Sequence, residues 1–359
     1  MDRVADIAEF DAWRAGVRRT VLERLSDYVS ARSADTLGHC GVDTAGDILL
    51  EFVDGGKCLR STFMYLGWLC GAPADDAALS ATASLELLHT FALLQDDVMD
   101  DSSSRRGRPS VHIQLATWHA QRGLSGSSRR FGESAAVLLA DLCLIWAEQV
   151  LRECGLPADR LQRAWPRYDA MRTELAAGQF ADLLLDLGKS PTLESVMRVA
   201  RAKSGNYTVR RPLEIGAAMA GCDERTLARL GEYGLAIGEA FQLRDDILGI
   251  FGSPAMTGKP NSGDLIERKA TSVAVAALEM ADPATRRQFD ELIGSDHLDD
   301  TDLDYWRSLI IGTGAVQRIE DLISERVRSA REALNASTID RSTRDALIHM
   351  ASLCTRRAG

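Results

Sequence analysis

The chain has 359 residues and a net charge of −10, with 42 lysines and arginines against 52 aspartates and glutamates; this argues against nucleic acid or an anionic membrane as a general partner. With 45% hydrophobic and 26% charged residues it has ordinary globular composition and enough length to bury a substantial core. The stretch MDRVADIAEFDAWRAGVRR has no signal-peptide core. No run reaches the roughly 18 uninterrupted apolar residues of a membrane span, and seven cysteines without a C-x-x-C pair fit reduced thiols. The expectation is a cytoplasmic protein without a transmembrane segment.

Apolar residues recur at helical spacing almost everywhere, with prolines and glycines mainly between the periodic stretches, so an all-α chain of about ten or more helices is predicted. Phe10 to Ala31 reads as a first amphipathic helix carrying Trp13, Val17, Val21, Leu25 and Tyr28 on one side. After a loop, Gly55-Gly-Lys-Cys-Leu-Arg60 opens a helix from Ser61 to Cys70. Lys57 and Arg60 are three apart and suited to converge on one anion, although a plain helix start gives the same pattern.

Leu85 to Pro109, LELLHTFALLQDDVMDDSSSRRGRP, starts as an apolar helical run and ends in four aspartates and an arginine pair. Asp96 and Asp100 are four apart, as are Asp97 and Asp101, so on a helix each pair stacks along one face. Like charges so placed repel by a few tenths of a kcal/mol per pair. A hard divalent cation would relieve this, since Mg2+ prefers one or two carboxylates plus substrate phosphates. Arg105 and Arg106 then suit bidentate phosphate contacts beside the metal. Taken alone, the cluster is equally what a solvated helix end looks like.

Val111 to Gln121 is the next helix, and Gly123 to Arg130 (GLSGSSRR) reads as a solvated loop. Ala135 to Leu151 is the most apolar helix and is expected to run through the core, with Trp146 packing rather than binding a ligand. Arg167 to Leu187 carries Gln179 and Asp182 on one face, and Val199 to Gly221 contains Lys203-Ser204 and Arg210-Arg211. Gly238 to Gly249 (GEAFQLRDDILG) is a second apolar helix with adjacent aspartates, Asp245 and Asp246. The loop Gly252 to Asp264 follows, with Lys259 in it and Lys269 beyond. The last third is helical without recognisable chemistry, and Ser295 to Asp300 reads as solvated surface.

With these positions laid out, the chain resembles the trans-isoprenyl diphosphate synthases, or polyprenyl synthetases, from about Leu49 to Thr271. GGKCLR is similar to the family's GGKRxR, DDVMDDSSSRRGRP to its first aspartate-rich motif, FQLRDDILG to its second motif FQxxDDxxD, and TGKP with ERKAT to the lysines beyond. Several motifs in the right order are far more specific than any one. The resemblance implies the isoprenoid synthase fold: a single domain over residues 1–359, a mostly antiparallel helical bundle around a central cavity, assembled as a homodimer. It implies head-to-tail joining of isopentenyl diphosphate to an allylic diphosphate, with Mg2+. By the same resemblance Asp96, Asp100 and Asp245 ligate the metal, with Asp97 and Asp246 in support. Arg105, Lys203, Ser204, Gln242, Lys259 and Lys269 hold the allylic diphosphate; Lys57, Arg60, His89 and Arg106 hold isopentenyl diphosphate.

Four positions depart from the family pattern. Cys58 replaces Arg, Ser61 replaces Pro, Gly249 replaces the last aspartate of the second motif, and Ser204 replaces Thr. A weakened rather than absent isopentenyl diphosphate site follows. In the family, chain length is set on the helix before the first motif. Phe91, with small Ala92 beside it, resembles geranylgeranyl-type synthases, and bulky Leu88 a turn deeper argues against very long products. C20 is expected and C15 is next; a class I terpene cyclase and a non-catalytic partner subunit are the rivals.

Overall fold

The computed structural model describes residues 7–186, 191–252, 263–295 and 297–356. Over these the chain is helical almost throughout, as the periodicity predicts. Strand pairing among the described residues is a two-residue antiparallel hairpin, Ser104–Arg105 with Arg108–Pro109. The chain divides into two compact units, Met1–Ala164 with Ile215–Gly221 and Trp165–Glu214 with Cys222–Gly359.

The first unit contains α1 (Ile7–Thr36), α2 (Asp43–Val53), α3 (Leu59–Leu69), α4 (Asp76–Met99), α5 (Val111–Gln121) and α6 (Ser128–Glu153). Val17, Val21 and Leu25 of α1 are buried as expected, and Trp13 stacks on Tyr65 at 6.3 Å. The side chain of Asp75 caps α4 by accepting from Ala78 N at 2.8 Å, which satisfies one of the orphan donors of the first turn. Behind that cap α4 is buried continuously from Ala81 to Leu88.

α6 packs on α4 and α5. A Cβ at Gly132 would collide with the carbonyl of His112, so glycine there lets α6 lie directly on the α5 backbone. α6 also corrects two expectations. It begins at Ser128, capped by Ser127, so the end of the GLSGSSRR patch is helix rather than loop. It does not run wholly through the core, because Leu138 and Ile145 are 65% and 53% exposed. Trp146 is buried and meets Tyr28 edge-on at 6.5 Å, a packing role. By length and average composition both α4 and α6 pass the criterion for a membrane span, which the search for unbroken apolar runs did not register; the apolar window of α4 is mostly buried in the protein.

The second unit is built from most of α7 (Ala158–Asp186), α8 (Leu193–Ala200), a π-helical segment (Arg201–Arg210), the start of α9 (Arg211–Ala220) and α10 (Glu224–Phe251). A short turn, Gly263–Ile266, and helices Ser272–Met280, Pro283–Gly294, Asp300–Gly312, Ala315–Asn335 and Arg341–Thr355 follow. α7 continues through Pro166, where a start at Arg167 is predicted. In the segment read as solvated surface, His297, Asp299 and Asp300 are exposed as expected, and it leads into a capping box in which Asp299 and Asp302 exchange side-chain-to-backbone bonds at 2.9 and 3.1 Å. Ala240, Leu243, Ile247 and Ile250 of α10 share one core with Val273, Phe289, Trp306 and Ile319.

The π-helical segment is clamped by glycines. A Cβ on Gly178 of α7 would lie 2.5 Å from Lys203 N, one on Gly238 of α10 2.5 Å from Gly205 O, and one on Gly234 2.5 Å from Arg210 Cα. These are backbone-to-backbone approaches that any side chain would prevent. They fix the height at which Lys203 and Ser204 emerge.

Candidate active site

In the first unit the aspartate motif straddles a helix end. α4 closes at Met99, Asp100 is its C-cap, and Asp101 turns left-handed at φ 50°. Asp97 is therefore buried while Asp101 is exposed and pairs with Arg129 at 3.4 Å, so the predicted Asp97/Asp101 stack does not form. Asp96 and Asp100 are partly exposed.

The hairpin distributes the two arginines. Its two-residue loop, Arg106-Gly107, has φ of 54° and 76°, the paired positive values that suit a tight hairpin turn. Arg105 turns to the aspartates: its Nε donates to Asp97 Oδ1 at 2.8 Å, its Nη2 reaches the same oxygen, and Nη2 lies 3.3 Å from Asp96 Oδ2. Burial pushes the Asp97 carboxyl up, and Arg105 pulls it back.

Arg106 goes the other way. It donates to Phe52 O at 3.1 Å, sits over the Phe52 ring at 5.6 Å, and lies against Gly55 and Gly56, where a Cβ on Gly56 would come within 3.2 Å of its Nη2. The double glycine, with φ of 139° and 91°, thus makes room for a guanidinium rather than only for a ligand. Cys58 follows in a left-handed conformation and is buried. Burial and Glu86 push its thiol far up while Arg18 and Arg106 pull the other way, so it carries no charge. Ser61, where the family often has proline, ties α3 to α4 by donating to Glu86 Oε1 at 2.8 Å and Thr82 O at 2.9 Å. Burial and the charges of Arg60, Arg106 and Arg105 hold His89 well below the usual histidine range. A neutral imidazole among three guanidinium groups marks a region of positive potential at this loop. Lys57 is exposed and Arg60 partly so.

Of the three residues expected to bear on product length, Leu88 is fully buried, while Phe91 and Ala92 are partly exposed.

In the second unit Lys203 Nζ donates to Asp182 Oδ2 at 2.6 Å. Both line a cleft of about 190 Å3 together with Ser204, Gln242, Asp246, Asp264 and Lys269. Asp246 is buried at its edge: Oδ2 accepts from Ser272 N and Oγ at 2.8 and 2.6 Å, and Oδ1 accepts from Gln242 Nε2 at 2.8 Å. Burial raises its carboxyl to about 6 against these bonds, with Asp264 adding to the rise. Gln242, expected on the allylic diphosphate, is thus engaged with Asp246. Lys269 Nζ lies 3.0 Å from Glu267, and Asp245 is partly exposed. Lys259 lies outside the described residues.

Gly249 has a specific neighbour. A Cβ there would fall on the carboxyl group of Asp264, so Asp264 fills the space a side chain at 249 would need. Asp264, Asp182 and Ser272 escape sequence reasoning as partners because each comes from a different element. A basic or acidic side chain facing its counter-ion across helices leaves no periodic trace.

The donor set fits Mg2+. It is entirely carboxylate oxygen, the donor type taken by a hard divalent cation that also keeps waters and substrate phosphates.

The polyprenyl synthetase family model matches residues 44–310, and the chain belongs to that family. It is 32% identical to a geranylfarnesyl diphosphate synthase of Aeropyrum pernix over 286 residues, 78% of this chain and 83% of that one. It is 37% identical to a geranylgeranyl diphosphate synthase of Mycobacterium tuberculosis over 62% of this chain and 59% of that one. A geranylgeranyl pyrophosphate synthase of Corynebacterium glutamicum, solved with isoprenyl diphosphate and magnesium, superposes with a TM-score of 0.90 at 33% identity, over 95% of this chain and 99% of that one. The fold is the all-α isoprenoid synthase fold, and the chain is a prenyltransferase that acts on isoprenyl diphosphates.

Proposed function

We propose that this prenyltransferase condenses isopentenyl diphosphate with allylic diphosphates and releases chiefly the C20 product, geranylgeranyl diphosphate. The observation that carries the condensation is the cationic loop of the first unit. Arg60 and Arg106, together with Arg105, act on a neutral His89, and Lys57 is exposed on the same loop, a set of cations suited to a second diphosphate-bearing substrate. A cyclase has no use for such a loop, and Asp245-Asp246 lacks the mixed Asn/Ser/Glu pattern of its second motif.

The carboxylates assigned to Mg2+ are Asp96 and Asp100 in the first unit and Asp245 in the second; the metal would supply charge neutralisation for a departing diphosphate. Lys203, Ser204 and Lys269 provide the remaining contacts to the allylic diphosphate from their cleft. Arg105 and Gln242 orient Asp97 and Asp246 and so set the carboxylate positions. For product length, Phe91 stands five residues before Asp96 with surface available, while Ala92 leaves space beside it. The relatives are named as farnesyl, geranylgeranyl and geranylfarnesyl synthases, C15 to C25, so the argument for C20 rests on these side chains. The exposed Leu138 and Ile145 of α6 support a homodimer.

Purified protein given Mg2+, labelled isopentenyl diphosphate and each allylic primer should yield a linear C20 product by chromatography. No incorporation with any primer would sink the proposal in favour of a partner subunit. A hydrocarbon formed from allylic diphosphate alone would indicate a cyclase.

A further inference from the structure

We infer that Arg18, on the amino-terminal helix α1, is a further binding residue for the diphosphate at the Gly55-Gly56-Lys57 loop, supplying the guanidinium that Cys58 does not. This rests on the reading of that loop as the isopentenyl diphosphate site. Cys58 is buried and neutral where the family has an arginine. Arg18 reaches the same place from another element, its Nε donating to Gly56 O at 2.7 Å. Its charge pulls the Cys58 thiol down together with that of Arg106, so both guanidinium groups lie within electrostatic reach of the vacated position. Arg106 packs on the side of Gly56 that a Cβ would occupy, and Arg18 holds the carbonyl of the same residue. The loop backbone is therefore bracketed by two cations. One nitrogen of Arg18 is spent on Gly56, which leaves the rest of a five-donor fork for an anion. Glu86, tied to Ser61, is the acidic group felt at Cys58, and one carboxylate does not cancel two guanidinium charges.

A purely structural role, stapling α1 to the loop through Gly56 O, predicts different behaviour from a charge that binds ligand. Arg18→Gln keeps an N–H donor and removes the charge; Arg18→Lys keeps the charge. The experiment is calorimetric binding of isopentenyl diphosphate to each full-length protein, with KM for both substrates and Tm measured alongside. Binding by the glutamine variant should weaken about tenfold, as for a charge-assisted contact. KM for isopentenyl diphosphate should rise to match, with the allylic KM and Tm nearly unchanged and the lysine variant close to wild type. Unaltered binding by Arg18→Gln, or equal losses in both variants with a fall in Tm, would overturn the inference. Wild-type protein that fails to bind isopentenyl diphosphate would instead overturn the reading of the loop on which it rests.

Discussion

Asp264 stands over Gly249 so closely that no side chain fits between them. The carboxylate absent from the end of the second motif is thus replaced, in space, by one fifteen positions further along the chain. Restoring the family residue should do harm. Gly249→Asp would drive Asp264 out and set two carboxylates against each other, and we expect a lower Tm with no gain in Mg2+ affinity. Tighter Mg2+ binding by that variant in a titration would show that Asp264 is not the replacement. At Phe91, truncation to alanine should lengthen the products while the primer KM stays within about twofold, because the ring lies five residues from the carboxylates; unchanged product length would place the limit elsewhere. His89 gives a pH prediction. Its folded-state pKa lies below the unfolded value of about 6.5. Its contribution is therefore complete above that value and is lost as the pH falls, when only the unfolded chain takes up the proton. Between pH 7.5 and 5.5 the Tm of wild type should fall more than that of His89→Gln.

Among the elements, the π-helical segment matters most, since Lys203 and Ser204 emerge from it between α7 and α10. Alanine at 238 gains about 1 kcal/mol of helix propensity. It also forces a methyl group into the backbone of Gly205, and overpacking of that kind costs about 1–3 kcal/mol. We expect Gly238→Ala to lower Tm and to raise the allylic KM more than the isopentenyl one, because it displaces the segment that carries Lys203. Equal effects on both would mean a general loss of fold. This segment was the least legible part of the sequence. Its side chains keep roughly helical spacing, so the change of hydrogen-bond register leaves no mark in the pattern. α5 was legible to the residue, bounded as it is by Pro109-Ser110 and Gly123. The starts of α6 and α7 were missed for opposite reasons. Ser127 reads as one more small polar residue of a loop while acting as a cap, and Pro166 reads as a helix start while lying inside one. The Asp97/Asp101 pair failed because a periodicity argument carries no information about the turn at which α4 stops. The motif residues themselves were legible. Their partners were not, since Asp182, Ser272, Asp264 and Glu86 are brought in by packing.

For the molecule as a whole, the exposed side of α6 sets up a test of assembly. Leu138 and Ile145 are seven residues apart, two turns along one face, and each exposes more than half its surface. Glutamate at both should convert a homodimer to a monomer by light scattering, with Tm of the isolated subunit little changed because neither side chain is in the core. A dimer that survives the double change would put the interface on another face. Arg105 has a consequence for the order of events. Two aspartates of the first motif already have Arg105 as a resident counter-ion, held by two bonds to Asp97 and one approach to Asp96. A bare magnesium ion arriving alone would have to evict a guanidinium or share its oxygens, and gains little by either. A diphosphate gives Arg105 somewhere else to go. Metal and substrate should then load as a pair, each vacating a seat for the other, and calorimetry should find Mg2+ affinity low without diphosphate and sharply higher with it. In Arg105→Gln the metal should bind unaided, and the dependence of one on the other should largely disappear.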